Sequence, residues 1–330
     1  MAFASRPPSE IENSMFDIVM PLFNKEIYVS RTIQSVLAQS RQDWRLIVVD
    51  DGSSDDGVAV VEDFADPRIS LIRQSNAGPG AARNTGIIAG SADWIAFLDA
   101  DDLWMPDHLQ ILHGLREQFP AAALIGSAYR AWTGGDLPQD MRGEGGGRLI
   151  RYFHEASGGR APFYTSSAAF SRVAVSAVGL LEHVTIGDEM DLWARLALHA
   201  PVAASTRETV LYRVGTGGIT DSSVSNGSDA LRELKLEQIS LPVATLVGRL
   251  PSIADEQLRS DVVDYIDFDV GLALMRAVRN GQIDHARKLS KLFLKGPRGK
   301  ARWAELLARL PHPLGQKLLM LIFAFKRALR

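Results

Sequence analysis

The sequence predicts an α/β fold built on a mostly parallel central sheet, followed by a helical C-terminal region. Three observations carry that expectation. Trp94 to Leu98 is continuously apolar, as a strand covered on both faces requires, and it stops in Asp99-Ala100-Asp101. Upstream, Asp17 to Val49 reads as strand, helix, strand, a βαβ unit whose crossover is right-handed by default. Two carboxylate clusters, Asp50-Asp51 and Asp99-Ala-Asp101, each follow an apolar strand and so share one sheet edge, where open α/β sheets bind ligands.

Taken in order, Met1 to Ser14 holds Pro7-Pro8 and no apolar h-region, so it reads as a loose leader and not a signal peptide. Asp17-Ile-Val-Met-Pro21 is a short strand ended by Pro21 and followed by Asn24-Lys25-Glu26. Val29, Ile33, Val36 and Leu37 recur at the helical period, giving a helix that lies on the sheet. Leu46 to Val49 is the second strand. A helix through Val60, Val61 and Phe64 and a strand from Ile69 to Ile72 follow. The loop Asn76-Ala-Gly78-Pro-Gly80 opens a helix that runs to Ala89, with Gly90 as its stop. After the organising strand, Pro106-Asp107 marks another helix start. Gly134 to Gly147 holds six glycines in 14 residues and reads as a mobile loop. Ala161 to Phe170 reads as an extended strand rich in hydroxyls. Gly187-Asp188-Glu189-Met-Asp191 begins a helix that buries Leu192, Trp193 and Leu196.

Composition narrows the chemistry. With 330 residues, 46% of them hydrophobic, the chain can form one large α/β domain and a smaller appendage. The expected division is a leader at 1–14, a catalytic domain at 15–220 with halves at 15–130 and 131–220, and a helical region at 221–330. There is no cysteine, which excludes disulfides, thiolate metal sites and cysteine nucleophiles. No apolar run approaches the roughly 20 residues that span a bilayer. The net charge of −3 conceals an asymmetry, because the last 50 residues carry twelve Lys and Arg against Asp284 and Glu305. That imbalance points to an anionic partner for residues 281–330.

An Asp-x-Asp at a strand end is a candidate metal and diphosphate site, since Mg²⁺ and Mn²⁺ take oxygen ligands and often hold phosphates through one or two carboxylates. A carboxylate at Asp50-Asp51 can accept the imide N–H of a uracil ring, although Asp-Gly followed by Ser-Ser-Asp also makes a turn and a helix cap. The helix opening near Gly80 aims backbone N–H groups at the same crevice, and Arg83 in its first turns suits a diphosphate or an internal ion pair. The acids at Asp188, Glu189 and Asp191 suit a general base, and equally a first turn favoured by the helix dipole.

These motifs resemble an inverting glycosyltransferase of family 2 with the nucleotide-binding, Rossmann-like fold called GT-A. The pieces that carry the resemblance are Ile18-Val-Met-Pro21 with Asn24, Val49-Asp-Asp-Gly-Ser53, Asn76-Ala-Gly78, Ala82-Arg-Asn84, Phe97-Leu-Asp-Ala-Asp-Asp102, Gly187-Asp-Glu-Met-Asp-Leu-Trp193 and Tyr212-Arg213. The resemblance implies that Pro21, Asn24, Asp50, Asp51, Asn76, Gly78, Arg83, Asp99, Ala100 and Asp101 line the donor site. In it Asp50 and Asp51 meet base and ribose, Asp101 ligates Mn²⁺ or Mg²⁺, and Asp99 supports the metal or the ribose. The family's Glu-Asp pair is inverted here, which places Glu189 at the base position, with Asp188 and Asp191 as rivals. Gly215 stands where the family often has a His after Tyr-Arg.

The expected activity is metal-dependent transfer of a sugar from a nucleotide diphosphate, UDP-linked, to a glycan or lipid-linked acceptor in cell-surface polysaccharide synthesis. The alternative is a non-catalytic nucleotide-sugar-binding module. Nucleotidyl transfer would want a Gly-rich basic loop after the first strand, and Met20 to Asn24 has none. No nucleic-acid partner is expected, and the oligomeric state is not legible. Leu318 to Phe325 is an apolar run of eight residues flanked by Lys317, Lys326, Arg327 and Arg330, suited to lie in a membrane interface. The protein is therefore expected in the cytoplasm, peripherally at the inner face of the membrane.

Overall fold

The computed structural model describes residues 16–158, 162–182, 187–216, 240–280, 282–297 and 300–309. The expected leader and the apolar run at 318–325 lie outside them. Contacts divide the chain into one unit of residues 1–150 with 161–225 and a second of 151–160 with 226–330.

The first unit is an α/β domain. Its elements are β1 (Phe16–Leu22), α1 (Glu26–Leu37), β2 (Trp44–Asp50), α2 (Gly57–Glu62), β3 (Ile69–Arg73), α3 (Pro79–Ala89), β4 (Trp94–Phe97), β5 (Leu103–Trp104), α4 (His108–Gln118), β6 (Leu124–Trp132), β7 (Gly147–Ile150), β8 (Ala168–Ser171), α6 (Arg172–Val178), α7 (Asp188–His199) and β9 (Val202–Arg213), while α5 (Tyr152–Ser157) belongs to the second unit. The sheet order is β3-β2-β1-β4-β8-β6-β9-β5, with β7 also on β9. Strands β1, β2, β3, β4, β6 and β9 share one direction, and β5, β7 and β8 oppose it. The sheet is thus mostly parallel, and its β3-β2-β1-β4 half wholly so. Strands β1 and β4 are buried almost throughout, as crossover helices on both faces require, and Val29, Ile33 and Val36 of α1 close the core on one side.

Several sequence expectations change at their ends. Strand β1 does not stop at Pro21 but continues to Leu22. It pairs with β2 along its full length, whereas β4 accompanies it only from Phe16 to Val19, so the prolyl nitrogen sits where no donor is required. Gly90 follows α3 as its stop, as expected, in an extended conformation with φ −82°. A Cβ there would lie 2.2 Å from Asp17 Oδ2, so close packing selects the glycine. The 161–170 segment is not one strand: Thr165–Ser167 forms a 3₁₀ turn before β8, closed by reciprocal bonds between the Ser167 hydroxyl and the backbone of Tyr164. Residues 134–146 of the glycine-rich segment lack regular structure, Gly147 opens β7, and the segment is fastened to β9, with the Arg142 N–H donating to Glu208 and the Ser205 hydroxyl to the Glu144 carbonyl.

The second unit is helical, as expected for the C-terminal region. Its helices are Leu241–Arg249, Glu256–Arg279, Ile283–Leu289 and Lys300–Arg309, of which the last three bury Leu274, Val278, Ala286, Leu289 and Ala308 together. The unexpected member is α5, taken from within the range assigned to the catalytic domain. Phe153 meets Tyr265 edge-on at 5.7 Å, and Arg151 Nε donates to Asp261 at 2.8 Å, which fixes this short segment to the long helix. Among the described residues no helix is long and apolar enough to cross a membrane.

Candidate active site

The register explains the crevice. Leu22 of β1 aligns with Asp50 of β2, and β4 ends three residues earlier, so the 98–102 loop lies beside the last residues of β1. Asn24, at φ 52°, stitches this edge together: its side-chain oxygen accepts from the Ser54 N–H at 2.8 Å, and its own N–H donates to Ser53 Oγ. Asn tolerates that left-handed conformation better than most residues.

Asp50 and Asp51 are both buried, and they do different things. Asp50 Oδ1 accepts from the Ser53 N–H at 3.0 Å and holds the turn. Asp51 accepts from Gln74 Nε2 and the N–H groups of Ala77 and Gly78, at 2.8, 2.9 and 2.8 Å. It therefore builds the loop that opens α3. Gly78 caps that helix at φ 91° with Pro79 in its first turn, and Asn76 packs beside Gly52.

Arg83 is the hub. Only 4% exposed, it donates to Asp99 Oδ1 at 2.7 Å and pairs with Glu189 Oε1 at 3.1 Å, while its guanidinium lies 5.4 Å from the Phe97 ring centroid. It thus ties the strand-end acids to α7, about a hundred residues apart in sequence. Burial works against its charge, but Glu189, Asp99 and Asp188 together raise its affinity for the proton. Burial pushes Asp99 above the usual carboxylate range, with Asp101 and Glu189 adding to the effect and Arg83 opposing it.

Asp101 faces another cation, with Oδ2 lying 2.7 Å from Lys25 Nζ. Asp102 is fully buried, accepting from Ser166 Oγ at 2.5 Å and from the Arg213 N–H at 2.9 Å. Ser166 also accepts from the Asp99 N–H, and Arg213 Nε donates to the Asp101 carbonyl, so the acidic loop is clamped from two sides. Ala100 is buried, its carbonyl accepting from Thr32 at 2.9 Å. Arg213 lies over Trp132 at 4.2 Å, with Arg31 over the same ring at 4.9 Å.

The three acids of α7 separate by environment. Asp191 is fully buried and bound to Arg195 Nε at 2.7 Å, whose guanidinium also holds the carbonyls of Val178, Gly179 and Leu180. It has no surface with which to meet a substrate. Asp188 is 2% exposed; its Oδ1 accepts from the Glu189 N–H, and its buried Oδ2 finds no hydrogen-bond partner. Burial and the adjacent Glu189 carboxylate push it up to about 8. Glu189 retains access, with 19% of its side chain exposed. Burial alone would raise it, but Arg83, together with hydrogen bonds from Asp188, the Glu189 backbone N–H and the Thr165 hydroxyl, holds it down at about 2. Gly80 is required here, because a Cβ at that position would fall 2.1 Å from Asp188 Oδ2.

Among the described residues no group of three or more His, Asp or Glu could hold a metal by itself. The donor chemistry nevertheless fits one that shares its ligands with a diphosphate, because Asp101 is an outward carboxylate, 13% exposed, that already takes a positive charge. Sequence reasoning missed Lys25, Asp102, Thr165, Ser166 and Gly80. The third acid of Asp99-Ala-Asp-Asp102 and the hydroxyl-rich Thr165-Ser-Ser167, whose Thr165 hydroxyl donates to Glu189 Oε1 at 3.2 Å, were visible signals for three of these positions; Lys25 had only its place after Asn24.

Residues 17–177 match the model described as Glycosyl transferase family 2. The succinoglycan biosynthesis protein ExoW of Rhizobium meliloti is 39% identical over 125 residues, 36% of this chain and 38% of that protein. A UDP-Glc:alpha-D-GlcNAc-diphosphoundecaprenol beta-1,3-glucosyltransferase of Escherichia coli is 40% identical over 102 residues, 31% of this chain and 40% of that protein. The aligned segments thus span less than half of these relatives. Among solved structures, S. aureus TarS 1-349 in complex with UDP-GlcNAc superposes with TM-score 0.55 at 13% identity, over 84% of this chain and 90% of that one. The mannosyltransferase PcManGT of Pyrobaculum calidifontis, in complex with GDP-Man and Mn²⁺, gives 0.53 at 14% identity, over 92% and 86%. At such identities the likeness concerns the fold, which is GT-A. Residues 17–177, which hold the parallel β1-to-β4 half with its two acidic strand ends, carry a glycosyltransferase family 2 domain.

Proposed function

We propose that this chain is an inverting, divalent-metal-dependent glycosyltransferase that moves a sugar from a UDP-linked donor to a glycan or lipid-linked acceptor in cell-surface polysaccharide synthesis. The observation that carries the proposal is the Arg83 bridge, which brings the strand-end Asp99 and the α7 carboxylate Glu189 into one crevice. The names of the succinoglycan and diphosphoundecaprenol relatives support the acceptor class, and the second of them, with TarS, supports UDP.

In this reading Asp50 accepts the base imide or ribose. Asp51, Asn76 and Gly78 shape the loop under the nucleotide, and the Pro21 to Asn24 edge closes beside it. A divalent cation held at Asp101, with Asp99 in support, would neutralise charge on the diphosphate. Ala100 keeps the two carboxylates at their spacing. Glu189 accepts the proton of the attacking acceptor hydroxyl as the new bond forms at the anomeric carbon and the bond to the diphosphate breaks. One displacement inverts the centre. Arg83 orients Glu189 and keeps it ionised, Asp188 stays protonated at neutral pH, and Asp191 positions the helix through Arg195. The basic residues of 281–330, with the 318–325 run, are proposed to hold the protein peripherally on the cytoplasmic face of the membrane.

Incubation with UDP-, GDP- and dTDP-sugars and Mn²⁺, following thermal stability and free nucleotide, tests the reading. Stabilisation by a UDP-sugar together with slow UDP release is expected. Stabilisation with no release above that of Glu189→Gln would favour a non-catalytic binding module, and neither effect with any donor would refute nucleotide-sugar chemistry.

A further inference from the structure

Lys25 covers the carboxylate that a metal would need. Its ammonium is 2.7 Å from Asp101 Oδ2, donates at 3.3 Å to the Thr216 carbonyl and lies 5.6 Å from the Tyr28 ring centroid. The two side chains are 16% and 13% exposed, so the pair is less screened than a solvated one. A lysine ammonium and a divalent ion cannot both occupy one carboxylate oxygen at bonding distance. The stem of Lys25 begins from fixed backbone, since Asn24 is bonded to Ser53 and Ser54, and Glu26 exchanges hydrogen bonds with Asp55 and Asp56. Its four-carbon chain can therefore swing aside without moving the backbone, and its charge remains in the crevice.

We propose that Lys25 is a displaceable counter-ion for Asp101, holding that carboxylate while no divalent cation is bound and yielding it when one arrives. The inference rests on the reading of Asp101 as a metal ligand. Two cations competing for one carboxylate weaken metal binding to the empty site. A donor diphosphate then does two things at once, supplying the metal with further oxygens and the displaced ammonium with a new anionic partner. Metal and donor are thereby coupled more tightly than by shared ligation alone.

The test is Mn²⁺ titration of the full chain without nucleotide, read from the paramagnetic resonance signal of free Mn²⁺. Lys25→Met is expected to bind Mn²⁺ about fivefold more tightly than the natural protein, the equivalent of a partly buried ion pair worth about 1 kcal/mol. Lys25→Arg should bind no more tightly than the natural protein, and Asp101→Asn should lose the site. A lysine that served only to hold local structure would give weaker binding when removed. Equal or weaker binding by Lys25→Met, with Asp101→Asn still defective, overturns the displacement and leaves the metal assignment standing. Unchanged binding by Asp101→Asn overturns the metal assignment, and the inference with it. Absence of binding by both the natural protein and Lys25→Met at millimolar Mn²⁺ also overturns it, because removing the competitor then uncovers no site. Lys25→Gln provides a second neutral variant should Lys25→Met fail to fold.

Discussion

Replacing Arg83 by methionine keeps the stem and removes the charge, leaving Asp99 and Glu189 without their shared cation. Both carboxylates sit in a poorly hydrated crevice, 24% and 19% exposed. Stranding a buried ionic partner costs about 3–5 kcal/mol, and this residual exposure puts the expected loss near the lower end, about 3 kcal/mol. The proton affinity of Glu189 leads to the same size, since it is held at about 2 against an ordinary 4.5. That difference is worth about 3.5 kcal/mol at about 1.4 kcal/mol per unit, and Arg83 is the largest of the influences that lower it, ahead of Asp188, the Glu189 backbone N–H and Thr165. Because the folded value lies below the unfolded one, the stabilisation is complete above about pH 5 and is lost as the pH falls toward about 2. Arg83→Met should therefore lie about 3 kcal/mol below the natural protein at pH 7 and about half as far below it at pH 3. Urea unfolding followed by tryptophan fluorescence is a suitable assay, because Trp44, Trp94, Trp104, Trp132 and Trp193 all belong to the first unit. A loss under about 1 kcal/mol at pH 7, or an equal loss at both pH values, would refute the bridge as a stabilising element.

Glu189→Gln should keep donor affinity and slow turnover by about 10²–10⁴, the usual cost of a positioned base; near-normal turnover would move the role to Asp188. Asp188→Asn mimics the protonated form and should alter turnover far less. Since the folded value of Asp188 is raised to about 8 from 3.8, native stability should decline between those pH values, and the Asn variant should lack that decline in parallel urea titrations. Gly80→Ala, whose Cβ would fall 2.1 Å from Asp188 Oδ2, should lose about 1–3 kcal/mol through overpacking, and an unchanged melting temperature would contradict the close contact. The full chain should pellet with anionic liposomes at low salt, and a chain ending at Pro311 should not; equal behaviour would sink the membrane proposal.

Much of the first unit was decided by sequence-local physics. Continuous apolar runs ending in acids suited strands covered on both faces better than half-exposed ones, and the helical recurrence of Val29, Ile33 and Val36 fixed which face of α1 packs. The order of the motifs was sufficient for the family and for the strand ends that carry Asp50, Asp51, Asp99 and Asp101. Spacing along the chain could not rank Asp188, Glu189 and Asp191, because three acids in one helical turn look alike until their surroundings are known. Tertiary packing separated them: Arg195 takes Asp191, burial beside the Glu189 carboxylate raises the proton affinity of Asp188, and only Glu189 combines exposure with an ion pair to Arg83. Nor could sequence choose between diphosphate and ion pair for Arg83, or reveal that Lys25 covers Asp101. Each depends on charges brought together across tens of residues by strand register and crossover, and the free energy of such a pair is set by the few ångströms and the missing water between its partners, which local sequence does not encode.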